Sequence, residues 1–568
     1  MEQAGRRLGF LNDDLYALAA SPEYSSAFHD VTVGNNAFQG PGFPAASGYD
    51  ASRPASARRG WPVWWRCLGQ VFTERSPERT RTIVPGCVDW RASVHVPKEE
   101  VMARTALQRI VTASCAAALV VGGAGAAGAS PGKHGGDGSV SSDPAYLVPA
   151  TSGVSITPLL TAGDVVDGYT MVGLPDGLGA FDNGDGTFTL LANHELSTTQ
   201  GVARAHGGIG SFVSRWVIDK KSLEVLSGSD QIRTVYLASP SGYVATPGAV
   251  LNRLCSADLA APSAYYDTRT RTGYEGRIFT NGEEGDGGRA FAHVVETGDS
   301  YELPALGNAE WENVVANPST GQATVVVGTA DTGGGEIHVY AGTKQADGNP
   351  VEQAGLTNGT TLSVSVPALP DELGDAAVPD GPLPFSLVPT GTGTGWDRPE
   401  DGAWDPQHPD DFYFVTTASI TKHSRLWKLH FTDAAQPSLG GTVELVLEGP
   451  SDPTVGPKML DNITVSKGSV YLQEDPGNAP YLAGVYRYDI RSGELTRVAD
   501  FDPERFIAGG SVFDTQDEES SGIIPVPFLG PRAFLLTAQN HTNVADPEQV
   551  QKGQFMLLRD WSGRGSEH

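Results

Sequence analysis

The chain is 568 residues long and carries 39 Lys and Arg against 67 Asp and Glu, a formal net charge of −28. A field of that sign excludes nucleic acid and anionic membranes as partners held by general electrostatics. With 70 Gly, 39 Pro and no long amphipathic helical stretch, the composition favours a turn-rich, all-β body with a large core.

Residues 1–101 hold Arg clusters (Arg58-Arg59, Arg75, Arg79, Arg81), scattered Trp and little periodic patterning. They read as a misassigned or disordered extension, with translation beginning at Met102. A short basic segment follows Met102, and an apolar run extends from Ile110 to about Gly128. Ala127-Gly128-Ala129 closes it as an A-x-A cleavage site. Residues 102–129 are therefore expected to be a signal peptide, in preference to a membrane anchor or a buried helix. The protein is then expected to be secreted, with no stable membrane insertion. Residues 130–145 form a Gly-rich linker, and 146–565 the folded body. The part beyond the leader carries about −30 of formal charge.

Of the four cysteines, Cys67 and Cys87 lie in the extension, where they are free to pair with each other, and Cys115 lies in the leader. Cys255 is then alone in the mature chain, so it is a buried filler, a reactive thiol or a metal ligand. Thiolate is a soft ligand and carboxylate a hard one. Both in one site would suit a transition metal beside hard cations such as calcium.

Strand signals run along the body: Gly186–Ala192, Ser211–Ile218, Thr324–Val327, Phe412–Thr416, Ser424–Phe431, Thr442–Leu447 and Gly484–Asp489. Turn clusters such as 183–186, 317–321, 405–409 and 491–493 separate them. A loose repeat recurs from Glu312, Glu400 and Asp461: an acidic residue, a short apolar strand, a turn, and a second strand that ends at polar or acidic residues. Residues 171–195 have a related shape. Repeated antiparallel units of this kind predict a β-propeller of about six irregular blades with loop insertions, the alternative being a β-sandwich with acidic turns. Segment 345–395 reads as an insertion or long loop.

Carboxylates recur at strand ends: Glu195, Glu283, Glu284, Glu312, Asp331, Glu336, Glu400, Asp461, Glu474 and Asp475. Clustered carboxylates repel unless a cation compensates them, and hard cations need several oxygens. Arg398 precedes Glu400 by two residues and has the fork that grips phosphate, although a structural ion pair is the plainer reading. His194 and His206 are read as structural before they are read as ligands. There is no nucleophile elbow, zincin motif or P-loop.

The ordered series Cys255, Ile278–Glu284, Leu306–Pro318, Arg398–Asp401 and Asp461-Asn462 resembles the PhoX-type alkaline phosphatases, over most of 150–550. The resemblance implies an exported β-propeller that hydrolyses phosphate monoesters at an iron and calcium cluster. It implies that Cys255 is the iron-binding cysteine and that Glu284 and Glu312 are carboxylates of that cluster. The candidate metal ligands are Cys255, Glu283, Glu284, Glu312, Asp331, Glu400, Asp461 and Glu474, with Arg398 as the candidate catalytic residue. The chain departs from the family where Gly282-Glu283-Glu284 replaces Cys-Glu-Glu and Glu310-Trp311-Glu312 replaces Ser-His-Glu. The twin-arginine signal is missing from the Met102 leader. The expected function is a monomeric, metal-dependent phosphatase of small phosphorylated molecules. The alternatives are a non-catalytic calcium-stabilised propeller that binds a partner, and another metal-assisted hydrolase such as a phosphodiesterase or lactonase.

Overall fold

The short apolar runs form antiparallel strands buried on both faces, and that double burial sets the architecture. The computed structural model describes residues 141–562. The chain divides into two units, Met1–Gly123 and Ala124–His568, and the described residues all belong to the second. The extension, the leader and residues 130–140 of the linker lie outside the described residues.

Six blades surround one axis, and the protein is a β-propeller. The first blade runs outward through Pro175–Asp182, Thr187–His194, Phe212–Asp219 and Val225–Asp230. The inner strands of the next four are Leu254–Asp258, Trp311–Ala316, Pro399–Trp404 and Leu460–Ser466. The sixth begins with Glu518–Pro525, and each inner strand touches its two neighbours around the ring. Two early strands close the circle. Leu147–Pro149 pairs with Leu495–Phe501 in the fifth blade, and Val154–Thr161 pairs with Gln551–Asp560 in the sixth.

The core is six seams, one between each pair of adjacent blades. Side chains alternate across a strand, so neighbouring residues feed opposite seams. Leu190 and Ala192 pack toward the sixth blade, while Leu191 packs toward the second. Phe412 and Phe414 face the third blade, and Tyr413 and Val415 face the fifth. A sandwich offers one inner face per sheet; here both faces are core, which explains apolar runs that do not alternate.

Of the two readings of segment 345–395, an insertion or a long loop, the long loop does not hold. The segment contains the short helix Pro350–Gln353, with an Asn349 capping box, and the strands Thr360–Ser365 and Leu383–Pro389. Those two strands pair with each other and join the third and fourth blades into one nine-stranded sheet. No helix among the described residues is long and apolar enough to cross a membrane.

Candidate metal centre

Every inner strand starts at the same end of the axis, and each delivers one ligand-type side chain there: Asp176, Cys255, Glu312, Glu400, Asp461 and Glu519. The second strand of a blade returns to that end, and it adds Glu195, Glu284, Asp331 and Asp475. In five blades a β-bulge falls on the ligand-type residue. The register shifts between Pro175 and Leu178, Leu254 and Ala257, Trp311 and Asn313, Pro399 and Gly402, and Leu460 and Ile463. A bulge re-aims side chains at the rim of a closed sheet, here toward the axis. In four blades a residue of left-handed backbone precedes the ligand by two positions: Leu174 (φ 51°), Arg253 (φ 37°), Arg398 (φ 62°) and Met459 (φ 42°).

Four overlapping groups result, each with donor atoms within 4.8 Å of one another. They are Asp176–Glu195–Cys255, Cys255–Glu284–Glu312, Glu312–Glu400–Asp461 and Asp461–Asp475–Glu519. Gln539 links the two ends of this series. Its amide donates to Asp176 (3.1 Å), Glu195 (3.0 Å) and Glu519 (3.1 Å). Ser256 donates to Glu312 and accepts from Asn462, both at 2.5 Å. The Cys255 thiol donates to Asp176 at 3.2 Å. The other carboxylate oxygen of Asp176 is buried without a hydrogen-bond partner.

Burial and mutual repulsion make ionisation costly here. Burial, then Glu519 and Glu195, push the Asp176 carboxyl well above its ordinary range. Burial and Asp176 push the Cys255 thiol up. Burial likewise raises Glu284, Glu400 and Asp461, and takes Glu312 to about 8 and Asp475 to about 7. Two guanidiniums offset part of the charge. Arg398 lies 2.8 Å from both Asp331 and Glu400, and Arg253 reaches Glu195 (2.7 Å) and Glu284 (2.6 Å). A dense carboxylate array around one thiol, with an orphaned buried oxygen, is a donor set suited to cations. The residues fit both hard ions and one softer metal at Cys255.

Of the residues singled out in the sequence, Glu195, Cys255, Glu284, Glu312, Glu400, Asp461 and Asp475 are gathered in these groups. Asp331 stands beside them, holding both Nε and Nη2 of Arg398. Glu283 turns away to Arg289 and the Asn252 amide. Glu474 also turns away, accepting from Tyr481 and the backbone of Lys458 and Gly484. Glu336 anchors the 391–393 loop. His194 is a buried structural ring between Gly173 and Ser214, and His206 bonds the Ala249 carbonyl. Asp176 and Glu519 also stand second in an inner strand, but Gly177-Leu178-Gly179 and Ser520-Ser521 follow them in place of the apolar strand residues that follow Glu312 and Asp461, so the repeat does not mark them. An acidic residue one or two positions into an inner strand, as at Glu312 and Asp461, was the available cue.

No family model matches the chain, and no curated protein matches it. Among solved structures it is similar to Pseudomonas fluorescens PhoX in complex with vanadate, a transition state analogue. The TM-score is 0.51 at 11% identity, covering 75% of this chain and 98% of that chain. Chaetomium thermophilum Sqt1 aligns with a TM-score of 0.35 at 9% identity, over 70% of this chain and 97% of its own. The β-propeller domain of the Trilobed protease from Pyrococcus furiosus aligns at 0.28 and 7%, over 69% and 96%. At such identities the likeness to PhoX is one of fold.

Proposed function

We propose that the protein is an exported, monomeric, metal-dependent phosphatase that hydrolyses phosphate monoesters of small molecules. The observation that carries this reading is the convergence of one ligand-type side chain from each of six blades, a thiol among them, beside the Arg398 fork. The resemblance in ordered motifs and the PhoX-like fold point the same way.

In this reading Cys255 and its carboxylate neighbours hold iron, and the remaining carboxylates hold calcium. Such ions supply Lewis acidity that stabilises the attacking and leaving oxygens of phosphoryl displacement. The chain's own residues bind and orient. Arg398 grips a phosphoryl oxygen, and Asp331 with Glu400 fixes its fork. Ser256 and Gln539 fix the carboxylate orientations. His541 lies 3.4 Å from Glu519, which raises it to about 10, so it keeps its proton at neutral pH and compensates the rim charge.

Turnover of p-nitrophenyl phosphate before and after chelation, together with elemental analysis, tests the proposal. Activity should vanish on chelation and return with metal. Arg398→Ala should lower kcat/KM about 10- to 100-fold, the scale of a lost charge-assisted hydrogen bond. Calcium-dependent melting with neither iron nor turnover would replace this reading with the non-catalytic propeller. Turnover of diesters or lactones alone would replace it with another hydrolase.

A further inference from the structure

Resting on the phosphatase reading, we propose that Arg253 is a second phosphoryl-binding guanidinium and that the pair of arginines selects monoester dianions over diesters. Arg253-Leu254-Cys255 and Arg398-Pro399-Glu400 are the same local device in two blades. Each arginine has left-handed backbone, at φ 37° and φ 62°, and stands two residues before a bulged ligand-type side chain. The equivalent positions in the first and fifth blades are the apolar Leu174 and Met459, so the turn itself does not need arginine.

The two guanidiniums are held alike. Arg398 uses Nε and Nη2 on Asp331 and Nη2 on Glu400. Arg253 uses Nε and Nη2 on Glu195 and Nη2 on Glu284. Neither Nη1 has a protein partner among the described residues. Both side chains stay partly open to solvent, 45% for Arg253 and 32% for Arg398, while the carboxylates that hold them are at most 12% exposed. A salt bridge built only to neutralise buried acids has no need to present a donor outward. The arginines stand at opposite ends of the Glu284–Glu312–Glu400 row, whose donor atoms lie within 4.8 Å from group to group.

Two outward Nη1 donors, one from each arginine, address two anionic oxygens. A monoester dianion offers three non-bridging oxygens that share two charges, whereas a diester offers one charge over two oxygens. Removing Arg253 should therefore weaken the monoester more than the diester.

Inorganic phosphate binding to the metal-loaded full chain, measured by calorimetry, tests this without turnover. Arg253→Ala should weaken binding about tenfold or more, and Arg253→Lys should recover part of the loss. The preference for p-nitrophenyl phosphate over bis(p-nitrophenyl) phosphate should shrink in R253A. A purely structural role would lower both substrates together. Arg253→Gln places an amide N–H where Nε meets Glu195 and serves the same comparison if R253A does not fold. Wild-type phosphate affinity in R253A and R253Q overturns the inference alone. No phosphate binding by the wild-type protein overturns the phosphatase reading, and this inference with it.

Discussion

At position 282 the packing accounts for the glycine. A Cβ there would lie 2.2 Å from Cβ of Trp311 and 2.7 Å from its Cγ. Gly328 sits against the other edge of the same ring, where a Cβ would lie 2.5 Å from it. Gly282, Gly328 and the Trp311 ring are therefore one packing arrangement. Gly282→Ala should destabilise the protein by about 1–3 kcal/mol, the usual cost of overpacking, and urea unfolding checks it. An unchanged midpoint would break the link between the two positions. Cys255 is the one thiol among the described residues. If the centre holds iron and calcium as proposed, Cys255→Ser should lose iron while keeping calcium-dependent stabilisation, as read by elemental analysis and melting; iron retained in the serine variant would remove the thiolate from the metal site.

Within the strands, the sequence carried the composition of the site better than its aim. Glu283-Glu284 and Glu474-Asp475 are adjacent pairs, and a strand sends neighbours to opposite faces. In each pair the second residue joins the cluster and the first is used by the scaffold. Which member faces the axis depends on strand register and local turns, and neither has a residue signature here, since Leu174, Arg253, Arg398 and Met459 share only a left-handed φ. The propeller itself was legible because the hairpin repeat needs only local signals. The outer strands in 345–395 were not, because Gly, Pro and Thr there resemble loop residues and edge pairing supplies their order. Ring closure was illegible for another reason: Val154–Thr161 pairs with residues about 400 positions away. Leu159 and Leu160 of that strand are fully buried in the seam between the sixth and first blades. Leu160→Ala should cost about 2–5 kcal/mol. Deletion through Thr161 should expose the Gln551–Asp560 edge and produce aggregates on size-exclusion chromatography. A monomeric deletion product with an unchanged melting temperature would show that closure adds little.

The whole molecule couples this site to its stability through protons and cations. Asp176, Glu284, Glu400 and Asp461 are raised by burial, with Glu312 taken to about 8 and Asp475 to about 7. A carboxyl whose folded pKa exceeds its unfolded value holds its proton longer in the folded state. The folded state then binds more protons than the unfolded one, and stability falls as pH rises. The window opens near the ordinary carboxyl range of about 4 and runs through 8, where Glu312 is half ionised. Chelated protein should thus melt highest near pH 5 and lose stability steadily to pH 8. Cations held at the proposed centre would reverse the sign, because they would bind the ionised carboxylates of the folded chain and displace the protons. At a hundredfold excess over Kd a single site adds about 2.7 kcal/mol, so calcium should flatten or invert the pH slope. Melting curves at pH 5, 6.5 and 8, with chelator and with calcium, read this directly. Parallel slopes in the two series would mean that the buried carboxylates do not bind calcium, and the acidic ring would then be a strained scaffold compensated by Arg253, Arg398 and His541 alone.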